Sequence, residues 1–447
     1  MRITLSYQWK RLEVEQKIFI LFIHNFISGD NIWKNYLLDY VCPCVEQLDM
    51  KYVILGKKVD KNTTQGDLIE FCLRSLSHEN HAVRMAVSTL LAKLTPCLIS
   101  DDWQVLNKRS EQEQQRADNS WHALGVFFRP HIDRHNVEIA EYMRDFSFKI
   151  NELGDLPEFP REKALPYLLL WDFAINMCRR APSELRSLYA QWIVDSRFEH
   201  VILPTLFRLM PMEVLKNWDT KVPLGETLFT VLNKKMIANP SVSVGRFACH
   251  IYAQTLRYLP VLARKWWQDL APRQKLLVDK VTTVYVSPML CQEELRALTE
   301  ERRQENMLIS VHTSTREVIA TYSIDEARME LTVTLPPNYP LGPVKVDGGK
   351  QIGGRLQSRV VVMQLTIFLT HQNGTINDGL SLWKRNLDKK FEGVEECYVC
   401  YSVIHQDTCQ LPKLTCKTCR KKFHGPCLYK WFSTSNKSTC PICRNIF

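Results

Sequence analysis

The chain has 447 residues, 45% of them hydrophobic and 24% charged, and a net charge of +10. That composition leaves room for two or three globular domains, excludes a disordered chain, and permits contact with nucleic acid or acidic protein without requiring it. Positions 1–17 lack a signal-peptide pattern, and the apolar stretch 18–27 is too short for a membrane span and is interrupted by His24 and Asn25, so no membrane partner is expected.

From about 17 to 270, apolar residues recur at helical spacing with turn signals every one to two dozen residues, so an all-α region is expected over 1–272. Its clearest unit pairs helices at 67–76 and 81–94 across Ser77-His78-Glu79-Asn80, with Val83, Ala86, Val87, Leu90, Leu91 and Leu94 on one face of the second. Val83-Arg84 followed by Ala86 resembles the second helix of a HEAT repeat, one of the HEAT/ARM-like stacked helix pairs. No strict period emerges, so an irregular helical bundle stays open. The polar run 107–120 reads as a solvated helix end or loop. Helices at 167–181 and 244–267 carry core aromatics, and Arg264-Lys265-Trp266-Trp267 reads as an amphipathic edge rather than a nucleic-acid platform. Cys72, Cys97 and Cys249 lie among apolar residues, as buried thiols do in a reducing, cytosolic compartment.

After Pro288 the pattern changes. A charged helix is expected at 291–306, then half-buried antiparallel strands, in which Val318, Ala320, Tyr322 and Ile324 alternate with more polar neighbours, as do Met329, Leu331, Val333 and Leu335. Pro336-Pro337-Asn338-Tyr339-Pro340 follows, then helical segments at 356–371 and 375–391, the first rich enough in Val and Thr to leave a strand open. This order resembles the RWD fold, a relative of ubiquitin-conjugating enzymes, and implies an α+β domain over 273–391. A conjugating enzyme needs a thiol shortly after its Tyr-Pro element to carry ubiquitin as a thioester. No cysteine lies between Cys291 and Cys397, so this domain is expected to bind but not carry ubiquitin. Gly348-Gly349-Lys350-Gln351 and His78-Glu79-Asn80-His81 lack the spacings of a phosphate loop and a zinc-protease pair, and read as surface loops.

The end of the chain carries four ligand pairs, Cys397-x2-Cys400, Cys416-x2-Cys419, His424-x2-Cys427 and Cys440-x2-Cys443, enough for two tetrahedral Zn2+ sites. In cross-brace domains the first pair shares an ion with the third and the second with the fourth. That gives Cys397, Cys400, His424 and Cys427 for one site, and Cys416, Cys419, Cys440 and Cys443 for the other. Sequential pairing, as in tandem zinc ribbons, is the alternative, and Cys409 is spare. A module of this size over 392–447 cannot bury a sufficient core, whereas zinc supplies on the order of 10 kcal/mol per ion. Two cross-brace families compete, RING and PHD fingers. A PHD finger usually has an aromatic two residues before its seventh ligand, where this chain has Ser438. Val399, Trp431, Pro441 and Arg444 sit where a RING finger has its apolar contacts and the residue after its last ligand.

The RING resemblance implies that Val399, Trp431 and Pro441 grip a ubiquitin-conjugating enzyme, and that Arg444 orients the thioester-linked ubiquitin with its planar guanidinium. Helical repeats, an RWD-like domain and a terminal RING, in that order, resemble the carboxy-terminal part of the listerin family. Pro336-Pro337-Asn338-Tyr339-Pro340, Leu382-Trp383-Lys384-Arg385 and Cys427-Leu428-Tyr429-Lys430-Trp431 carry the resemblance. It implies a cytosolic ubiquitin ligase that marks nascent chains stalled on the large ribosomal subunit, with a charged conjugating enzyme and other ribosome quality control factors as partners. Family chains are far longer, so Met1 is expected to begin a fragment. The alternative is a non-enzymatic scaffold whose PHD-like module binds a chromatin or acidic protein ligand.

Overall fold

The computed structural model describes residues 64–108, 121–143, 161–216, 244–300, 303–304, 306–324, 327–348, 354–371, 373–408 and 410–447, with isolated positions at 45, 48 and 228–229. The helices expected before 64, most of the polar run 107–120, part of the loop 348–351, and Cys409 lie outside them. Two units divide the chain, Met1–Val281 and Thr282–Phe447.

In the first unit, α1 (Gln65–Ser75) starts at a reciprocal cap: the Thr64 hydroxyl accepts from the Asp67 N–H at 3.2 Å, and the Asp67 carboxylate accepts from the Thr64 N–H at 2.8 Å. The connection 77–80 is closed by Asn80, whose Oδ1 accepts from the N–H groups of Ala82 and Val83 at the start of α2 (His81–Lys108). This helix runs a further 14 residues beyond the expected stop at 94, straight through Pro96. The Ala92 carbonyl, which Pro96 cannot serve, faces Nη1 of Arg180 at 3.5 Å. By length and composition α2 could cross a membrane, yet 72% of its most apolar window is buried inside the protein. A helix apolar on all sides and buried by its neighbours is a core helix.

Helices α3 (Arg129–Met143), α4 (Arg161–Arg180), α5 (Ser183–Asp195) and α6 (Glu199–Leu209) follow; α1, α4 and α5 pack against α2, while α3 packs on α4 and on α6. Where one helix was expected at 244–267, the structure has two, α7 (Val244–Tyr258) and α8 (Pro260–Asp269), because Pro260 restarts the helix at its first turn. Then comes α9 (Pro272–Val281). Trp171, Trp192, Phe128 and Phe198 meet edge to face in the core, the geometry that aromatic quadrupoles favour. Buried Asp102 accepts from the Ala123 N–H at 3.1 Å and from the Tyr189 hydroxyl, and burial pushes its carboxyl up to about 6.

In the second unit a π-helical turn, Thr282–Val286, leads into α10 (Ser287–Glu300), which stops short of the expected 306 because Arg303–Gln304 pairs as a strand, β1. The sheet continues as an antiparallel meander, β2 (Met307–His312), β3 (Glu317–Ile324), β4 (Ala327–Thr334) and β5 (Lys345–Gly348), in the order β1-β2-β3-β4-β5. Val318, Ala320 and Tyr322 on β3, with Met329, Leu331 and Val333 on β4, form the buried face. The segment 356–371 is a helix, α11 (Gly354–His371), and not a strand. Leu365 and Leu369, four residues apart, bury one stripe, and this packing outweighs the strand preference of Val and Thr. Next, α12 (Ile376–Phe391) begins at a second reciprocal cap, Thr375 with Asp378, and buries Leu380, Trp383 and Leu387. Tyr322 fixes its far end: the hydroxyl donates to Asp388 at 2.8 Å, and the ring stacks on Phe391 at 5.9 Å.

Glu294 on α10 lies beneath the start of α12, where it accepts from the Ile376 N–H at 3.4 Å. Burial, with the nearby Asp378 charge adding to it, pushes its carboxyl up to about 7. A carboxyl whose folded value exceeds its unfolded one binds its proton more tightly when folded. Its contribution is therefore full below about pH 4 and declines as pH rises toward 7. Glu294→Gln is expected to raise the stability of this unit at pH 8 by about 1–3 kcal/mol and to flatten its pH dependence between 5 and 7. Urea midpoints at pH 5 and pH 8 check this, and an unchanged slope in the variant would remove Glu294 as the cause.

Candidate metal centre and its exposed rim

Three of the four ligand pairs share one local geometry, set by the residue that follows each second cysteine. Tyr401, Arg420 and Arg444 adopt left-handed backbone conformations at φ 55°, 58° and 59°. That reversal turns their N–H groups back onto the carbonyls of Cys397, Cys416 and Cys440, at 2.7, 2.9 and 3.0 Å. The next residues close the turn, since the N–H groups of these three cysteines donate to Ser402, Lys421 and Asn445. In each knuckle, N–H groups converge on the first sulfur. Burial raises the Cys397 thiol, but the N–H groups of His424, Cys400 and Val399 outweigh it and hold the thiol below its ordinary value. The N–H of Cys419, helped by that of Thr418, brings the Cys416 thiol down to about 6. Cys427 and Cys440 are pushed up to about 12, chiefly by burial. The sites thus stabilise some thiolates while crowding others against them, an arrangement completed by a cation.

The knuckles bring together two ligand sets. Cys397, Cys400, His424 and Cys427 form one, and Cys416, Cys419, Cys440 and Cys443 the other, with the ligand atoms of each set within 4.8 Å of one another. This is the interleaved grouping, first pair with third and second with fourth. A short hairpin, β6 (Leu414–Thr415) with β7 (Lys422–Phe423), and α13 (Gly425–Ser435) bridge the sets. His424 directs Nδ1 at the sulfurs of Cys400 and Cys427, at 3.3 and 3.8 Å, while Nε2–H donates to the Val403 carbonyl at 3.2 Å. Burial holds the imidazole below its ordinary value, so it stays neutral with the Nδ1 lone pair free to bind metal. Four sulfurs in one set, and three sulfurs with one imidazole in the other, suit a tetrahedral ion.

The other expected site residues lie on the rim. Val399 is 37% exposed, Pro441 is half-buried and Arg444 is exposed. Trp431, 36% exposed, is oriented by its indole N–H, which donates to the Thr439 carbonyl at 3.0 Å. Thr439 in turn pairs with Ile446 across a bridge that brackets the last knuckle. Ser438 is exposed. Sequence reasoning missed two features. The Val403 carbonyl is a main-chain group with no sequence signature, whereas the left-handed residue after each Cys-x2-Cys could have been read from the repeated knuckle.

Residues 61–299, more than half of the chain, match the family model described as LTN1 family HEAT repeat region, and residues 307–390 match one described as ubiquitin conjugating domain-like. The chain is 51% identical over 413 residues to the E3 ubiquitin-protein ligase listerin of Drosophila melanogaster, covering 92% of this chain and 24% of that protein. It is 40% identical over 377 residues to the same-named protein of Gallus gallus, covering 82% and 21%. With the protein of that name from Schizosaccharomyces pombe the identity is 39% over 289 residues, covering 63% and 18%. The chain therefore spans about a quarter or less of the length of these curated relatives. Its helical region, its conjugating-domain-like sheet and its paired metal-ligand sets follow one another as a single architecture, and with the family model covering most of that helical region the chain belongs to the listerin (LTN1) family.

Proposed function

We propose that the chain acts as a RING-type ubiquitin ligase that directs ubiquitin from a charged conjugating enzyme to lysines of nascent chains stalled on the large ribosomal subunit, in cytosolic ribosome-associated quality control. On this reading 1–272 is a HEAT-like region, 273–391 an RWD-like domain and 392–447 the RING module, with Zn2+ in both ligand sets. One observation carries it: the interleaved sets place Val399, Trp431 and Pro441 on the rim of a module whose last knuckle also presents Arg444. The relatives' shared name, E3 ubiquitin-protein ligase listerin, supports it.

The mechanism needs no nucleophile from this chain. Zinc supplies only the rigidity of the two loops, as a closed four-ligand site does. Val399, Trp431 and Pro441 hold the conjugating enzyme, and Arg444 donates to carbonyl oxygens at its junction with ubiquitin, damping the thioester's motion. An incoming lysine amine attacks the thioester carbonyl carbon. The C–N bond forms as the C–S bond breaks, and the amine proton leaves with the departing enzyme thiol. The conjugating-domain-like region, 307–390, contains no cysteine and takes no covalent part. Its role is to hold the module near nascent-chain lysines, at high effective concentration.

Stalled large subunits incubated with conjugating enzyme, ubiquitin and the chain should show nascent-chain labelling that falls when 288–390 is deleted. A chain that labels free and ribosome-bound lysine peptides equally would overturn the placement on the ribosome.

A further inference from the structure

Between the first two cysteine pairs, the chain makes a loop that does not close on the metal module alone. Ile404 at its middle is 2% exposed. It is buried not in the module's own core, with Cys397, Phe423 and Leu428, but in the core of the sheet domain, with Val318, Tyr322 and Trp383. Val403 and Leu411 pack against the same core. The first ligand set holds the loop from its other side. The Val403 carbonyl accepts from His424 Nε2, and the His405 ring lies edge-on to His424 at 5.5 Å. A main-chain hydrogen bond from His405 to Gln410, at 3.0 Å, closes the loop behind Ile404. Among the described residues, the loops of the second set, including Lys417, Thr418, Pro441 and Ile442, contribute nothing to the sheet domain's core.

We propose that the first ligand set, and not the second, joins the metal module to the sheet domain. When Cys397, Cys400, His424 and Cys427 are fixed around one ion, the imidazole has a single orientation, its Nε2–H keeps Val403 in place, and Val403 keeps Ile404 seated in the sheet domain's core. The ordering entropy of the loop is then met by ligation, so the apolar contact of Ile404 is retained as net stabilisation of the sheet. The second set orders the far side of the module and leaves the sheet unaffected. The two domains consequently move as one body and do not swing about 392–396. On the ligase reading, the direction from which ubiquitin arrives is set by wherever the sheet domain is held.

Hydrogen exchange read by peptide mass spectrometry on the full chain, with metal content measured on the same samples, tests this. Cys400→Ser and Ile404→Ala should each speed exchange in Glu317–Ile324 and Ala327–Thr334 by roughly tenfold, because local opening of the sheet becomes easier. Ile404→Ala should keep two metals per chain, and Cys419→Ser should change strand exchange by less than about twofold. Equal effects of Cys400→Ser and Cys419→Ser, with the first set still loaded in the latter, would overturn the proposal. Should Cys419→Ser empty both sets, Ile404→Ala decides: faster strand exchange at two metals per chain supports the proposal, and unchanged exchange overturns it.

Discussion

Stripping metal from the chain with a strong chelator is expected to unfold 392–447 while the strands of the sheet domain stay folded, though with faster exchange. Each structural ion contributes on the order of 10 kcal/mol to a small metallo-domain, comparable to the entire stability of an ordinary folded domain. The module's own buried cluster, centred on Phe423, Leu428 and the ligand cysteines, is too small to offset that loss. Metal analysis should give two Zn2+ per chain, and Cys416→Ser should leave one, held by Cys397, Cys400, His424 and Cys427. A folded, protected module after complete chelation would show that the ligand sets are not its structural basis. Loss of metal on replacing Cys409, with both sets otherwise intact, would show that the ligand assignment is wrong.

The second large effect separates grip from activation. Trp431→Ala is expected to weaken binding of the conjugating enzyme by about 2 kcal/mol or more, roughly thirtyfold, as removal of a partly exposed aromatic anchor does. Its indole bond to Thr439 is at the surface, so the variant should keep both metals and its fold. Arg444→Ala should leave binding within about twofold and slow ubiquitin discharge roughly tenfold to a hundredfold, the range for losing charge-assisted hydrogen bonds at a transition state. The left-handed backbone at Arg444 is retained by the Cys440 carbonyl bond, which the side chain does not make. Metal content, affinity and discharge rate measured on both variants check this. Unfolding of Trp431→Ala together with normal discharge by Arg444→Ala would reduce both residues to structural roles.

How far the sequence could be read depended on the range of the interactions involved. The four ligand pairs were legible because metal ligation imposes local spacing, and the interleaved grouping of Cys397 and Cys400 with His424 and Cys427, expected from the cross-brace order of the pairs, is the one the structure has. Alternation on β3 and β4 was visible because one face of each strand is buried. Strands β2 and β5 were missed: exposed Leu308 blurs the alternation of the first, and the second has four residues. The break at Pro260 was written in the sequence and could have been read as a first-turn proline. The run of α2 through Pro96 could not, because Arg180, far along the chain, meets the carbonyl left open. The burial of Ile404 outside its own module was illegible for the same reason, since the core that takes it in is assembled from residues as distant as Val318 and Tyr322, more than 80 positions away.

Ligase activity itself is measured most directly by single-turnover discharge of a conjugating enzyme preloaded with ubiquitin, using free lysine as acceptor and the metal-loaded chain as the only addition. Discharge should be faster with the chain than without it, the acceleration should vanish on chelation, and Arg444→Ala should lose most of it while retaining two Zn2+ per chain. No acceleration by a chain shown to hold two Zn2+ and to bind the loaded enzyme would contradict the account.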